Sequence, residues 1–400
     1  MKLLESKIKD QVLESMINLL QKNKEAIIDA NKKDLEAFDK NDQALYDRLI
    51  VNDAKVDDMI RAVQEVKDQE DPVGKVKSTR ELDSGLKITN KTDPFGTILI
   101  IYESRPDVTI EAAVLAFKAN NKILLKGGKE AYHSNIELEK CWHEALESNG
   151  LSKDWINLMH LDRKATQEFL RNPDEKLDLI VPRGGEKLIE FVKQHAQCAV
   201  LVSGRGNNFL YVSPNADWEI SKKVIINAKT DKISGCNALD KVLLDKKLPD
   251  LSTKIKDLIQ TLKSAKVSVV GNEVVREVVD EVEKIENPSI WKEEFLAMRL
   301  LVSTCNDIDD AIKIINAHSG KHSSVIMTQD QKEAEKFMQE VDAAAVYQNA
   351  SSRFTDGGQM GVGAELAIST DKLHHRGPLG LEQLVTNKYY VFGDGHIRNS

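Results

Sequence analysis

The chain is 400 residues long, 41% apolar and 30% charged, with a formal net charge of −8. This length points to two or three domains with enough buried surface to need no disulfide or metal staple, and the composition excludes a disordered chain. The negative balance excludes a general nucleic-acid binder, but not small anions held by local clusters of lysine and arginine.

Residues 1 to about 70 read as helices: Leu4, Ile8, Leu13, Ile17, Leu20, Ile27 and Ile28 recur at helical spacing with Lys and Glu between them. Asp71-Pro72-Val73-Gly74 ends this block. Residues 82–92 alternate around Ser84-Gly85 and predict a hairpin-like arm. From Asp93 the texture changes. Thr97–Tyr102 reads as a buried strand, Val108–Asn120 as a helix, Lys122–Leu125 as a strand and Ser134–Ser148 as a helix. The alternation continues through Asp154–Met159, Lys164–Leu170, Leu177–Val181, Gly185–Gln194, Ala199–Val202 and Phe209–Val212. This order predicts a mostly parallel sheet with helices on both faces, binding ligands beyond the carboxyl ends of its strands. A second α/β region is expected to begin near Ile233, with strands at Lys241–Leu244 and Val267–Val270 and a helix at Asp307–Ala317. The chain then becomes rich in glycine and ends in a strand at Lys388–Phe392.

The opening Met1–Lys7 carries no apolar run of a secretory signal, and no apolar stretch approaches the ~18 residues of a membrane helix. A cytoplasmic protein without membrane contact is expected. Cys141, Cys198, Cys236 and Cys305 are dispersed, with no Cys-x-x-Cys pair, so free thiols are expected in a reducing compartment.

The common nucleotide fingerprints fail. Gly204-Arg205-Gly206 and Gly361-Val362-Gly363 both lack the third glycine, and no Gly-Lys-Ser/Thr phosphate loop is present. His318 and His322 lie four apart, but Ser319 stands where a zinc protease has its glutamate, so no metal is expected. Lys126-Gly127-Gly128-Lys129 follows a strand; its lysines suit a phosphate, and otherwise it is a solvated turn. Pro182-Arg183-Gly184-Gly185 follows a strand and opens a helix, where free N–H groups favour an anion; otherwise it is an ordinary glycine turn. Arg105, in Glu103-Ser104-Arg105-Pro106, either grips a phosphoryl or carboxylate group or is a surface arginine. Cys236, in Ser234-Gly235-Cys236-Asn237, follows a tight loop. If Asn237–Asp240 begins a short helix, the thiol gains thiolate character, with Lys229 or Lys232 adding positive potential.

These residues, in this order, resemble the γ-glutamyl phosphate reductases (glutamate-5-semialdehyde dehydrogenases) of the aldehyde dehydrogenase superfamily. The resemblance rests on Tyr102–Thr109, Lys126–Ala131, Cys236-Asn237-Ala238, Asn349–Gly357, Gly361–Glu365, His375–Glu382 and Gly393–Arg398. It implies an α/β, aldehyde dehydrogenase-like fold: two Rossmann-like domains and a small β oligomerisation arm. On that reading residues 1–230 bind the cofactor and are interrupted by the arm at about 80–96, residues 231–375 are catalytic, and residues 376–400 return with an oligomerisation strand. The implied reaction is NADPH-dependent reduction of L-glutamyl 5-phosphate to glutamate 5-semialdehyde with release of phosphate, the second step of proline biosynthesis from glutamate. Another acyl-phosphate or acyl-CoA reductase of the superfamily is the alternative.

The resemblance also assigns residues. Cys236 is the nucleophile with Asn237 beside it; Arg105, Glu365 and Arg353 bind substrate. Lys126, Gly127, Gly128, Lys129, Arg183, Gly184, Gly185 and Glu294 bind NADPH. Lys129 stands where many aldehyde dehydrogenases have a glutamate on the adenosine ribose, which favours a 2′-phosphate. Val200–Gly204 holds no carboxylate where hydrolytic members place their general base. Gly206-Asn207-Asn208-Phe209 departs from the family's Gly-x-Cys-His. A homodimer or homotetramer is implied, with transient contact to a glutamate kinase on a separate chain.

Overall fold

The computed structural model describes residues 2–39, 43–184 and 186–398. Among these the chain forms two compact units. The first holds residues up to Val202, Gly361–Ala367 and the residues from Leu379 onward; the second holds Ser203–Met360 and Ile368–Pro378.

The first unit opens with helices Ser6–Lys22, Lys24–Ala37, Gln43–Leu49 and Asp53–Asp68. Their apolar stripes, such as Val12, Leu13, Met16 and Leu20 or Val56, Met59, Val63 and Val66, are fully buried, as helical spacing requires. Strands β1 (Val76–Glu81) and β2 (Lys87–Pro94) form the expected hairpin. Five strands then build a parallel sheet: β3 (Thr97–Tyr102), β4 (Lys122–Lys126), β5 (Ile156–Leu158), β6 (Leu179–Arg183) and β7 (Ala199–Val200). Helix Pro106–Lys118 has Pro at its first turn, where the missing N–H costs nothing. It is buried almost all round, which explains its run of Ala, Val, Leu and Phe. The spatial order is β5-β4-β3-β6-β7. The direction of strand addition therefore reverses between β3 and β6, where open α/β sheets bind ligands.

The second unit is a seven-stranded parallel sheet: β8 (Asn208–Val212), β9 (Leu239–Asp245), β10 (Ser268–Gly271), β11 (Glu283–Lys284), β12 (Arg299–Cys305), β13 (Ser323–Met327) and β14 (Ala345–Gln348). Their order is β11-β10-β12-β9-β8-β13-β14. Here the structure departs from the expected boundary near residue 230. Asn208–Val212 pairs with β9 and β13, so this unit begins at Ser203 and takes in helix Trp218–Thr230. A short antiparallel pair, β15 (Ile368–Ser369) with β16 (Gly377–Pro378), belongs to it as well.

The chain then returns to the first unit. Strand β17 (Val385–Phe392) pairs antiparallel with β2, from Val385 opposite Pro94 to Phe392 opposite Lys87, completing a three-stranded sheet β1-β2-β17. Asn121 fastens this return. Its Oδ1 accepts from the Gly96 N–H at 3.0 Å and its Nδ2 donates to the Leu384 carbonyl at 2.8 Å, with the side chain fully buried. Asn121→Ala leaves two backbone groups unpaired and is expected to lower stability by about 2–5 kcal/mol. Denaturant unfolding checks this; a loss below ~1 kcal/mol would show that water replaces the amide.

Candidate active site

In the first unit, the carboxyl ends of β3, β4 and β6 carry the expected anion-binding residues. In the sheet register Tyr102 lies opposite Arg183, so the segments after β3 and β6 leave the sheet side by side. Ser104 has φ 35°, uncommon for a residue with a side chain, and is buried. Arg105 follows at the N-cap position of helix Pro106–Lys118, and its Nη2 donates to Asp107 Oδ2 at 3.2 Å. Lys55 Nζ lies 2.6 Å from the same oxygen. Burial opposes ionisation of Asp107, but Arg105 and Lys55 overcome it and hold its carboxyl down to about 2. Asp107 thus orients Arg105.

Lys126 ends β4, half-buried, and donates to the Gly127 carbonyl at 2.6 Å; burial lowers its pKa. Lys129 is exposed at the start of a short 3₁₀ turn, Lys129–Ala131. The glycines have local causes. A Cβ on Gly127 would lie 2.4 Å from Asn135 Nδ2, one on Gly128 2.0 Å from Glu130 Oε1, and one on Gly184 2.8 Å from Leu188 Cδ2. They serve close packing of this edge, not only the approach of a ligand. Gly185 lies outside the described residues. Lys126 and Lys129, at and beyond the end of β4, and Arg183, at the end of β6, are cations on strands to either side of β3, beside the reversal where such sheets bind ligands. Glu365, half-buried, also belongs to this unit.

In the second unit the candidate residues Cys236 and Glu294 precede their strands, at the amino-terminal end of the sheet. Cys236 lies in a turn closed by Gly235 N–H to Lys232 O (3.1 Å) and Ala238 N–H to Gly235 O (3.0 Å). Strand β9 begins at Leu239, so no helix starts after Cys236 and the expected dipole does not act on it. Lys229 does not serve the thiol either: its ammonium is buried against Asp240 at 3.0 Å. Cys236 is nonetheless half-exposed and outside any disulfide. Burial raises the pKa of Cys141 to about 11 and pushes Cys198 and Cys305 upward too, which leaves those three poor nucleophiles.

Asn208, which the sequence did not single out, organises the loop. Its Nδ2 lies 2.7–2.8 Å from the carbonyls of Gly206, Cys236 and Ala238, and its Oδ1 accepts from the Ser323 N–H at 2.9 Å. The only signal was the Asn207-Asn208 departure itself. Asn237 fastens the other side. Its Nδ2 donates to the carbonyls of Arg353 (3.1 Å) and Thr355 (2.9 Å), and its carbonyl accepts from Ser352 Oγ at 2.7 Å. The Asn237 Oδ1 is buried without a hydrogen-bond partner. Arg353 is brought beside this turn: its Nε donates to Asp231 at 2.9 Å, and its Nη1 would lie 2.7 Å from a Cβ on Gly235.

Glu294 also reaches this loop, accepting from the Gly206 N–H at 3.0 Å. Its neighbours are pinned from behind. Lys241 Nζ donates to the Glu293 carbonyl at 2.7 Å, and the Phe295 N–H donates to Asp240 at 3.2 Å. Burial pushes the Lys241 ammonium down to about 8. Gly206 is where Glu294 and Cys236 meet, because a Cβ there would lie 2.0 Å from the Cys236 carbonyl oxygen. No cluster of three or more His, Cys, Asp or Glu suited to a metal occurs among the described residues, and no helix there is long and apolar enough to cross a membrane.

Gly206→Ala drives a methyl into the Cys236 carbonyl and is expected to lower kcat at least about tenfold, as a displaced nucleophile does. Stopped-time activity beside circular dichroism checks this; full activity with an intact fold would show that the loop yields freely.

The sequence model of the Aldehyde dehydrogenase family matches residues 270–365. The chain is 37% identical over 399 residues to the gamma-glutamyl phosphate reductase of Dictyoglomus thermophilum, covering 99% of this chain and 95% of that protein. It is 40% identical over 396 residues to the gamma-glutamyl phosphate reductase of Clostridium beijerinckii, covering 98% and 95%. The crystal structure of gamma-glutamyl phosphate reductase from Thermotoga maritima matches with a TM-score of 0.94 at 38% identity, covering 99% of this chain and 95% of that one. With similarity of this strength along nearly its whole length, the chain belongs to the γ-glutamyl phosphate reductases of the aldehyde dehydrogenase superfamily.

Proposed function

We infer that the chain reduces L-glutamyl 5-phosphate to L-glutamate 5-semialdehyde with release of phosphate, using NADPH and a thioester on Cys236. The observation that carries the mechanism is the half-exposed Cys236 thiol on a turn fastened from both sides by Asn208 and Asn237. The thiolate attacks the acyl carbon, the carbon–oxygen bond to phosphate breaks, and phosphate leaves. When bound, NADPH supplies a hydride. The thioester carbon accepts it, and the resulting tetrahedral oxyanion re-forms its C=O bond as the C–S bond breaks, which returns the Cys236 thiolate and frees the aldehyde. The Cys236 N–H is assigned to the negative charge that develops on the oxygen. Asn237 Oδ1 is an unmet buried acceptor one residue from the nucleophile, suited to a donor group brought by a ligand.

Arg105 and Arg353 are assigned to the anionic groups of the substrate, with Glu365 to its ammonium, and Glu294 to a ribose of the cofactor. Lys126, Arg183, Gly184 and Gly185 are assigned to its phosphates, across the Gly127-Gly128 turn. The arm and β17 are assigned to a homodimer or homotetramer. β17 is an edge strand with Tyr389, Val391 and Phe392 exposed, a surface that a second copy would cover. The substrate is an acyl phosphate, so a separate glutamate kinase is the natural supplier.

Two measurements test this reading. Glutamate semialdehyde should reduce NADP⁺ only when phosphate is present, because Val200–Gly204 offers no carboxylate to activate water against the thioester. Cys236→Ala should abolish the reaction while still binding nucleotide; phosphate-independent turnover, or activity in the variant, overturns the mechanism. Exposed Lys129 carries the cofactor preference. Lys129→Glu places a negative charge against the 2′-phosphate and is expected to lower the NADPH/NADH ratio of kcat/KM by about tenfold or more. An unchanged ratio removes Lys129 from that role.

A further inference from the structure

Ser104 sits between the end of β3 and Arg105 with φ 35° and is almost completely buried. A residue with a Cβ reaches that region only when its surroundings hold it there. The holding group is Glu130. Its Oε1 accepts from the Ser104 N–H at 2.7 Å and from the Ser104 Oγ at 2.8 Å. Glu130 belongs to the short turn that follows Lys126-Gly127-Gly128-Lys129. A Cβ on Gly128 would lie 2.0 Å from Glu130 Oε1, so Gly128 provides the room in which that carboxylate reaches across. On the far side of Ser104, Arg105 starts its helix and is oriented by Asp107, itself held by Lys55.

We propose that Glu130 is a positioning residue: by locking Ser104 in the left-handed conformation it sets the direction in which Arg105 leaves β3 and thereby the substrate-binding orientation of that arginine. The carboxylate takes its hydrogen bonds from Ser104 and acts through one backbone torsion. Without it Ser104 relaxes to negative φ, and the Arg105 guanidinium turns off Asp107. This inference rests on Arg105 binding substrate, as assigned above.

Phosphate-dependent oxidation of glutamate semialdehyde, measured as kcat and as KM for each substrate, separates the two. Arg105→Ala is expected to raise one substrate KM about tenfold or more, and Glu130→Ala to raise that same KM to a similar degree with a smaller change in kcat. Glu130→Gln keeps an acceptor oxygen and should stay within about threefold of the parent. The Arg105→Ala/Glu130→Ala double variant should be no worse than Arg105→Ala alone, because both changes remove one function. Glycine accepts positive φ without support, so Ser104→Gly in the Glu130→Ala background should recover most of the lost affinity. Ser104→Val opposes positive φ while leaving Glu130 in place, and should reproduce the Glu130→Ala defect even if Glu130→Ala itself does not fold.

If Arg105→Ala is silent, the substrate assignment of Arg105 falls and takes this proposal with it. If Arg105→Ala is impaired, three results overturn the proposal alone: a silent Ser104→Val, additive effects in the double variant, or no recovery by Ser104→Gly.

Discussion

The turn that carries Cys236 depends first on one buried carboxamide, that of Asn208. Asn208 meets the carbonyls of Gly206, Cys236 and Ala238 with a single amide nitrogen and ties them to β13 through the Ser323 N–H. These carbonyls belong to two segments that precede β8 and β9, and unpaired in the interior they would be costly. The constraint spreads outward. Gly206 must be glycine because the Cys236 carbonyl lies against it, and Glu294 can reach the Gly206 N–H only while that loop stays closed. Behind Glu294, Lys241 and the Lys229–Asp240 pair fix the backbone on either side. A buried ion pair adds little net stability, but here it sets the path of a functional segment.

The two units share a parallel architecture and use opposite ends of it. In the first, the cationic residues lie beyond the carboxyl ends of β3, β4 and β6, where the strand order reverses. In the second, Gly206, Cys236 and Glu294 all precede their strands. The carboxyl ends of β8 and β13 are closed instead. Thr328 Oγ1 donates to Glu333 at 2.6 Å, Asn215 donates to the same carboxylate at 3.1 Å, and Ser213 donates to Thr328. A general rule about strand ends therefore points to the candidate residues of the first unit and not to those of the second.

What was legible in the sequence followed from pattern. The apolar run Thr97–Tyr102, the long, mostly apolar stretch after Pro106 and the alternation around Ser84-Gly85 each pointed to the element that forms, through length, flanking proline or glycine, or period. Cys236 stood out by its neighbours, although for a partly wrong reason: Leu239–Asp245 continues as a strand, and Lys229 answers to Asp240. The boundary near 230 failed because Phe209–Val212 reads as a buried strand whichever sheet receives it. Asn208 was hidden for a different cause. Two of its acceptors lie 28 and 30 residues away, and an asparagine at the first position of a strand has no period to betray it. The same holds for Glu130, whose partner Ser104 is 26 residues earlier.

The interrupted order of the first unit has a consequence for synthesis. Its sheet, helices and arm are all made before residue 203, yet Asn121 needs the Leu384 carbonyl and β2 needs β17. On a ribosome these partners emerge last. The second unit is nearly continuous from Ser203 to Met360, so most of its contacts can form earlier. The first unit, begun before the second, is thus completed after it, and until then the open edge of β2 stands exposed to pairing with another nascent chain.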